Sequence, residues 1–334
     1  MGMKLQYNLE NIGNIDKASV TIKPLTIIAG ENSSGKTFVT KSLYTILSNF
    51  DLQIANNQKR LDIAFKKNFQ ITNLQHLIKD SNNKNIKLTL ENICEVTINN
   101  KLDFSLENDA LMKKINNAVF FDSPVYIKIR KALQKNINRV PPKYENKYLK
   151  GYPEYIDDLY HDLDLEYIDT ADFYKISQEI QQIISGKLDV SRSGDINYTD
   201  SQNNTIPLSL TAMGISNIGL IDLLLRNNVI NKGSFLIMDE PEVHLHPAWQ
   251  VILAQLLYKI AKSGANIIIA THSLDFLKAF ENILKEENEI AEEIIAINKM
   301  PYDESFSEKR ELEKVGIVLD DLSRPFYNLY MQDI

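Results

Sequence analysis

Apolar residues recur with two different periods along this chain, and the two periods predict both strands and helices. Residues 18–22 alternate apolar with polar, which is typical of a half-buried strand, and residues 25–29 then run apolar up to a glycine. A helical period follows from residue 36 to about residue 50. Residues 86–105 alternate again, and Asn99 with its neighbouring asparagine predicts a hairpin turn there. This part of the chain therefore predicts antiparallel strands around one strand–loop–helix unit.

From about residue 205 onward, the pattern predicts strands that alternate with helices. Short uninterrupted apolar runs predict buried strands at residues 235–238 and 266–270, and residues 294–297 form a candidate late strand. Helical periods lie before, between and after the two buried strands, at residues 213–225, 247–262 and 274–284. Such alternation is typical of a sheet of parallel strands with helices on its faces. The predicted fold class is α/β.

The composition is that of a globular protein with a sizeable core. Of the 334 residues, 44% are hydrophobic and 24% are charged, which excludes wholesale disorder. The single cysteine, Cys94, excludes a disulfide framework and a Cys-rich zinc module, and we expect a buried thiol in a strand. No apolar run approaches the roughly 18 residues of a membrane helix. The first 17 residues lack a signal-peptide core. We therefore expect a cytoplasmic protein with no membrane contact.

The formal net charge of -7 conceals two adjacent blocks of opposite sign. Residues 126–150 carry eight Lys or Arg residues against one acidic residue, and residues 152–172 carry eight acidic residues with no Lys or Arg. The basic block also holds three tyrosines, so it is a candidate for nucleic-acid binding. Alternatively, the acidic block neutralises it within the chain or between subunits. The sequence leaves both interpretations open.

A phosphate-binding loop is predicted between the first apolar strand and its helix. The pattern G-x-x-x-x-G-K-[ST] is met by Gly30, Glu31, Asn32, Ser33, Ser34, Gly35, Lys36 and Thr37. Small residues let backbone N–H groups turn inward around phosphate oxygens, and the helix N-terminus adds partial positive charge. We expect Lys36 to reach the β- and γ-phosphates of ATP and the Thr37 hydroxyl to hold Mg²⁺. Phe38, the next residue, is included in the predicted nucleotide site.

Two later strands are predicted to deliver polar side chains to the same edge of the sheet. Asp239 and Glu240 end one buried strand, and His272 follows the next. Ligands of open α/β sheets bind at the carboxyl ends of the strands, so we expect Asp239 to hold the Mg²⁺ that Thr37 contacts. Glu240 is predicted to polarise an attacking water, and His272 to bond the γ-phosphate. The alternatives are an acidic turn and a helix cap in which the histidine is incidental.

The order of these motifs resembles that of the ABC-type ATPases. Within that class, residues 11–15 and 239–250 resemble the SMC/RecF-like branch and the OLD-like ATPases of prokaryotic anti-phage systems, rather than transporter subunits. The resemblance covers residues 1–50 and 205–280 well, and residues 51–204 only loosely. It implies a two-lobed α/β head without a long coiled coil. It also implies ATP and Mg²⁺ as cofactors, and a homodimer or higher homo-oligomer formed through the ATP sites.

The same resemblance places an ABC signature loop at residues 210–214. Members of the class usually have a serine that reaches the γ-phosphate across the dimer, whereas Ala212 occupies that place here and Thr211 is the candidate substitute. Gly214 and the helix N-terminus behind it are expected to supply backbone donors to the nucleotide.

Two further features near these motifs allow alternatives. His244 and His246, with Glu242 nearby, have a spacing compatible with zinc. The resemblance favours a structural role for this segment at the dimer seam. The turn at residues 121–124 is the candidate Q-loop.

These observations predict two ATPase lobes with a helical insertion between them. Residues 1–125 form the first lobe with the phosphate loop, residues 126–204 the helical insertion with connecting strands, and residues 205–334 the second lobe. The lobes and the insertion use nearly all of the length, so we expect a separate effector protein rather than a fused nuclease. The predicted function is Mg-ATP hydrolysis whose nucleotide-dependent dimerisation controls that effector in bacterial anti-phage defence. The alternatives are a DNA-binding repair ATPase and a nucleotide-gated scaffold with little turnover.

Overall fold

Three sheets and the helices around them make up the computed structural model of this protein. It describes residues 4–49, 57–80, 85–130, 133, 151–165, 173–191 and 194–332. Most of the basic block, from residue 131 onward except residue 133, lies outside the described residues, as do residues 166–172 of the acidic block. The predictions that rest on those residues therefore stay predictions.

The described part of the chain contains strands and helices in the following order. The strands are β1 (Leu5–Ile12), β2 (Ile15–Ile22), β3 (Leu25–Ala29), β4 (Ile86–Leu90), β5 (Cys94–Ile98), β6 (Leu102–Leu106), β7 (Ala118–Phe121), β8 (Gly186–Val190), β9 (Ile196–Asp200), β10 (Thr205–Pro207), β11 (Phe235–Asp239), β12 (Asn266–Thr271) and β13 (Ile295–Lys299). The helices are α1 (Lys36–Ser48), α2 (Asn57–Phe69), α3 (Asp109–Met112), α4 (Pro124–Lys128), α5 (Tyr155–Asp164), α6 (Tyr174–Ile183), α7 (Met213–Arg226), α8 (Pro247–Lys262), α9 (Leu274–Ile294), α10 (Glu304–Ser307) and α11 (Glu311–Gln332). Two 3₁₀ turns lie at Leu74–Leu77 and Leu208–Leu210.

The central sheet is parallel and sets the position of the predicted site. Its strands lie in the order β13–β3–β12–β11–β7, and each neighbouring pair is parallel. All five carboxyl ends therefore share one edge. The strands read as continuous apolar runs because helices cover both faces of such a sheet, and Ile27, Ile237 and Ile268 are fully buried. This confirms the α/β fold class.

The second sheet is antiparallel and carries the alternating pattern. Its order is β2–β1–β4–β5–β6. The predicted hairpin is confirmed between β5 and β6, where the Asn99 N–H donates to the carbonyl of Lys101 at 3.0 Å. Cys94 is buried in β5 as expected, and burial raises the pKa of its thiol to about 12. Its thiol is therefore a packing group.

Helix α5, which lies in the predicted insertion, packs into the same hydrophobic core as the central sheet. Tyr155 on α5 lies against Phe120 of the central sheet, with ring centroids 4.5 Å apart. Arg130 is buried and donates to the Tyr160 carbonyl and to Asp164, which belongs to the acidic block. A third sheet, β10–β9–β8, is antiparallel and completes this region. Arg130 is thus a described case of pairing between the two charged blocks.

The helices near the C-terminus extend further than predicted. Helix α9 continues to Ile294 rather than ending near residue 284, with a kink at Asn288 (φ 45, ψ -118). The added turns are rich in Glu, and ion pairs such as Lys285–Glu281 stabilise a solvated helical face without an apolar period. Helix α11, which the sequence pattern did not delimit, packs on α9 and β13. A search of the described helices for an apolar stretch that would span a bilayer found none.

Candidate functional site

The predicted phosphate loop connects β3 to α1 and is held from two sides. Gly35 and Ser33 have left-handed backbones, with φ of 103° and 63°. A Cβ at Gly35 would lie 2.7 Å from the Ile15 side chain, and one at Gly30 would lie 2.1 Å from the carbonyl oxygen of Met300. Both positions need glycine, because the β1–β2 hairpin and the end of β13 approach the loop closely.

The Lys36 ammonium folds back over this loop. Its Nζ donates to the carbonyls of Gly30 and Glu31, both at 2.8 Å. Burial lowers the pKa of Lys36, and the nearby carboxylates of Glu240 and Asp239 oppose that shift. An ammonium has three donors, so one remains for a ligand while two brace the loop. The contact of Lys36 with the β- and γ-phosphates stays a prediction.

Thr37 and Asp239 meet although they are 202 positions apart. The Thr37 hydroxyl donates to Asp239 Oδ2 at 2.8 Å. The other oxygen, Oδ1, is buried and has no hydrogen-bond partner among the described residues, and burial raises the pKa of Asp239 to about 6. A hydroxyl beside an unsatisfied carboxylate oxygen is a hard-oxygen ligand set that suits Mg²⁺. These residues therefore fit the predicted ion.

Glu240 and His272 form a pair at the carboxyl edge of the sheet. They directly follow the adjacent strands β11 and β12, and His272 Nδ1 lies 2.8 Å from Glu240 Oε1. Both side chains are about one-third exposed, at 39% for His272 and 33% for Glu240. Glu240 has a left-handed backbone with φ of 50°, fixed by its N–H bond to the Ala270 carbonyl at 2.9 Å. This strained turn aims the carboxylate toward the open edge.

The helix-cap alternative for this segment also occurs, alongside the pairing of His272. Ser273 Oγ accepts a hydrogen bond from the Phe276 N–H at 3.2 Å and so caps α9. The same hydroxyl donates to Gln250 Oε1 at 2.8 Å. Capping is therefore the task of Ser273, and it leaves the imidazole next to it free to pair with Glu240.

Glu242 is a site residue whose role the sequence analysis missed. Its side chain is only 3% exposed, and the Thr271 hydroxyl donates to its Oε1. Burial raises the pKa of Glu242 to about 7, and its Oε2 is buried without a hydrogen-bond partner in the described part of the chain. The signal in the sequence was a second carboxylate directly after the Glu240–Pro241 turn, which returns the chain toward the sheet. Glu242 thereby links this turn to the strand that carries the histidine.

The segment that follows Glu240 is fixed by amide side chains. Asn217 on α7 donates to the carbonyl of Pro241 at 3.1 Å, and Gln250 on α8 donates to the carbonyl of Leu245 at 3.1 Å. Gln250 also accepts from Ser273, the residue after the histidine. The network therefore connects the two strand ends next to the Glu240–His272 pair with the helix behind the predicted signature loop.

His246 has a structural role in the same segment. Its Nδ1 accepts from the Ala248 N–H at 3.3 Å and caps α8. His244 occupies a left-handed turn with φ of 67°. A search of the described residues found no group of three His, Cys, Asp or Glu side chains placed to hold a metal. These observations favour the structural alternative for the two histidines over zinc.

The described contacts of Thr211 and Gly214 in the predicted signature loop are with elements other than the phosphate loop. Thr211 is buried, its hydroxyl donates to the Pro207 carbonyl at 3.1 Å, and its own carbonyl accepts from Lys128 Nζ at 2.8 Å. Gly214 lies against Trp249, whose ring would be 3.1 Å from a Cβ there. The described contacts of Thr211 and Gly214 thus join them to α4, β10 and α8.

The opening hairpin packs directly against the phosphate loop. Asn14 Nδ2 donates to the carbonyl of Ser33. The Phe38 ring lies over Gly13 and stacks on Phe69 with centroids 5.8 Å apart. The Phe38 ring therefore packs against hydrophobic groups under the loop. The predicted contact of Phe38 with a nucleotide would then be made by its backbone.

The candidate Q-loop turn lies at the same edge of the sheet as Asp239 and Glu240. Asp122 follows β7, which neighbours β11 in the sheet, and it accepts from the Tyr155 hydroxyl at 2.9 Å. The charge of Asp122 contributes to the raised pKa of Asp239, which places the two carboxylates near each other. The turn therefore reaches the same sheet edge.

The buried Glu242 carboxyl predicts a pH-dependent stability. Its pKa lies at about 7 in the folded chain, above the ordinary 4.5, so the folded state holds this proton more tightly than the unfolded state. Raising the pH from 5 to 8 should then cost up to about 3 kcal/mol of unfolding free energy through this group. Glu242→Gln, which cannot ionise, should lose less stability over that range. Urea unfolding at both pH values measures the difference.

Glu304→Gln on the exposed surface is the control for that comparison. It should follow the wild-type pH dependence. Equal pH dependence of wild type and Glu242→Gln would contradict the assignment of a buried proton to Glu242.

Residues 66–277 match the family model described as the AAA ATPase domain, which covers more than half of the chain. The chain belongs to this ATPase family. The matched range contains Asp239, Glu240 and His272 and begins after the phosphate loop. A comparison with curated proteins found no match.

Solved structures show the same fold at low sequence identity. An Smc head domain from Pyrococcus furiosus, bound to the C-terminal domain of ScpA, is 13% identical with a TM-score of 0.52, and covers 84% of this chain and 92% of that chain. An SmcHead bound to the C-winged helix domain of ScpA is also 13% identical with a TM-score of 0.52, over 83% and 91%. The ATP-binding cassette MJ1267 of an ABC transporter is 12% identical with a TM-score of 0.43, over 96% of each chain. The two Smc head structures therefore show the fold of this chain.

Proposed function

We propose that this protein binds Mg-ATP on residues 30–37 and hydrolyses it, and that two copies close around the nucleotide to control a separate effector protein. One arrangement carries the proposal. The Thr37–Asp239 bond and the Glu240–His272 pair lie at the same edge of the sheet as the phosphate loop. An ion-holding pair next to an acid–base pair is the set that attack of water on a γ-phosphate requires.

The residues at this edge have different roles in the proposed hydrolysis. Thr37 and Asp239 would hold Mg²⁺, which neutralises developing charge on the phosphate oxygens when bound. Glu240 accepts the proton of the attacking water. Because His272 Nδ1 lies against Glu240, its other ring nitrogen, Nε2, is the one that would contact the γ-phosphate. His272 then orients Glu240 and bonds the γ-phosphate at the same time.

Dimerisation is the proposed role of the signature loop. Thr211 and Gly214 have their described contacts away from the phosphate loop of the same chain, and the N-terminus of α7 offers backbone donors. A second copy would bring this helix end to the γ-phosphate. The Smc head among the structural neighbours is bound to a partner protein, ScpA, and we propose a partner for this chain too. The resemblance to OLD-like ATPases supports anti-phage defence as its setting.

A scaffold with little turnover is the second candidate. Ala212 stands where the class usually has serine, and the Thr211 hydroxyl is buried and bonded to Pro207. Both features weaken contact with a partner's γ-phosphate. Direct DNA binding has less support, because Lys128 and Arg130 of the basic block bond to groups of their own chain.

Turnover measured with and without duplex DNA separates these candidates. We expect purified protein to release phosphate from ATP in a Mg²⁺-dependent manner, with a rate that DNA leaves unchanged. Removal of Mg²⁺ by a chelator should stop the reaction. A rate raised tenfold or more by DNA would favour the repair ATPase, and ATP binding with no release would favour the scaffold.

A further inference from the structure

The buried carboxyl of Glu242 lies close to the Glu240–His272 pair, and the roles proposed above leave it unassigned. Burial is the main cause of its raised pKa, and the charges of Glu240 and His272 also act on it, so the three side chains are neighbours. Glu242 is only 3% exposed, whereas each member of the pair is about one-third exposed. Its carboxyl is therefore placed to act through its neighbours rather than on a substrate.

The hydroxyl of Thr271 connects Glu242 to the backbone on both sides of His272. It donates to Glu242 Oε1 and accepts from the Ser273 N–H at 3.1 Å. A hydroxyl has a single proton, so donation to Glu242 leaves its lone pairs for the Ser273 amide. Thr271 is fully buried at the end of β12, and its carbonyl accepts from the Gly30 N–H at 3.4 Å. The residues that flank the imidazole are thus held from below by one carboxyl.

The same carboxyl belongs to the turn that carries Glu240. The Val243 N–H donates to the Glu240 carbonyl at 3.1 Å, and the Leu245 N–H donates to the Glu242 carbonyl at 3.0 Å. Glu240 has a left-handed backbone, a conformation that persists in a glutamate only when the surrounding structure holds it. The Glu242 side chain therefore joins the strained turn of Glu240 to the strand end that precedes His272.

We infer that Glu242 is a positioning residue for the proposed hydrolysis, and that through Thr271 it holds His272 against Glu240. The inference rests on the proposed function, because it concerns the same pair. Displacement of a reacting group by about 1 Å can lower a rate by about 10²-fold. ATP affinity would depend mainly on residues 30–37, so loss of positioning should lower kcat and leave KM nearly unchanged.

Removal of the carboxyl tests the inference. Glu242→Ala should lower kcat for Mg-ATP by about 10- to 100-fold and change KM by less than about threefold, because Thr271 loses its acceptor. Glu242→Gln keeps an oxygen that can accept from Thr271, and should retain kcat within about threefold. Phosphate release over a range of ATP concentrations measures both constants. The control is Glu281→Ala, which removes another buried carboxyl, paired with Lys285 on α9, and should keep the wild-type kcat.

A double-mutant cycle tests whether the effect passes through the histidine. In a His272→Ala background, which lacks the imidazole, Glu242→Ala should lower kcat by less than about twofold further. A carboxyl that served only the stability of the fold would cause the same loss in both backgrounds, and that result would overturn the inference.

Thr271→Val removes the same hydrogen bond with little change of shape, so it provides the test should Glu242→Ala fail to fold. It should match the predicted loss of kcat with KM nearly unchanged. Wild-type kcat in a folded Glu242→Ala or in Thr271→Val would overturn the positioning role and leave the proposed function in place. Wild-type protein that releases no phosphate from Mg-ATP would overturn the proposed function itself.

Discussion

Replacing Lys36 with alanine is expected to weaken ATP binding by about 10- to 100-fold, because a charged hydrogen bond contributes roughly 1.5–3 kcal/mol. The ammonium already lies over the loop through the carbonyls of Gly30 and Glu31, with one donor left for a phosphate. Burial lowers the pKa of Lys36, whereas a bound triphosphate would favour its charged form. Calorimetric titration with Mg-ATP measures the loss.

The control for the lysine is Lys87→Ala, which removes the same charge from the surface of β4, away from the loop. It should bind ATP like the wild type. Tripolyphosphate should lose affinity for Lys36→Ala as ATP does, because the lysine contacts phosphates and not the base. ATP binding that survives Lys36→Ala unchanged would contradict the assignment of residues 30–37 as the phosphate loop.

Replacing Glu240 with glutamine should reduce turnover by about 10²- to 10⁴-fold while ATP binding is retained. The amide keeps the shape of the side chain and an oxygen that can accept from His272, but it cannot take a proton from water. Phosphate release at saturating Mg-ATP measures turnover, and calorimetry measures binding. The two readings together separate a catalytic role from a binding role.

Glu287→Gln is the control for that measurement, because Glu287 lies on the exposed surface of α9 and pairs with Lys262. We expect it to hydrolyse ATP at the wild-type rate. Turnover in Glu240→Gln that equals the wild type would remove Glu240 from its proposed role, and Asp122 at the neighbouring strand end would become the carboxylate to examine next.

Local sequence determines the strand–loop–helix unit and the ends of the buried strands, so those parts of the site were predictable. The meeting of Thr37 with Asp239 follows from a general property of parallel sheets, whose carboxyl ends share one edge. The period of apolar residues does not encode which strands are neighbours. That β12 lies between β3 and β11 depends on long-range packing, and it is this order that brings His272 against Glu240.

The burial of Glu242 and the position of α11 could not be predicted from the sequence pattern, because tertiary contacts determine both. Glu242 is buried because the left-handed turn at Glu240 returns the chain to the sheet, and a propensity argument disfavours such a backbone for glutamate. Helix α11 packs on β13 and α9, and the Lys299–Asp321 ion pair is one of its contacts. The local apolar period does not encode such contacts, because they are set by tertiary packing.

We propose that ATP closes two copies of this chain and that hydrolysis releases them. Sedimentation of wild type and Glu240→Gln in Mg-ATP, with phosphate release followed in the same samples, tests this proposal most directly. We expect Glu240→Gln to stay a stable dimer with ATP, and the wild type to return to its nucleotide-free state as phosphate appears. An oligomeric state that ignores ATP in both proteins, or release of phosphate by Glu240→Gln at the wild-type rate, would contradict it.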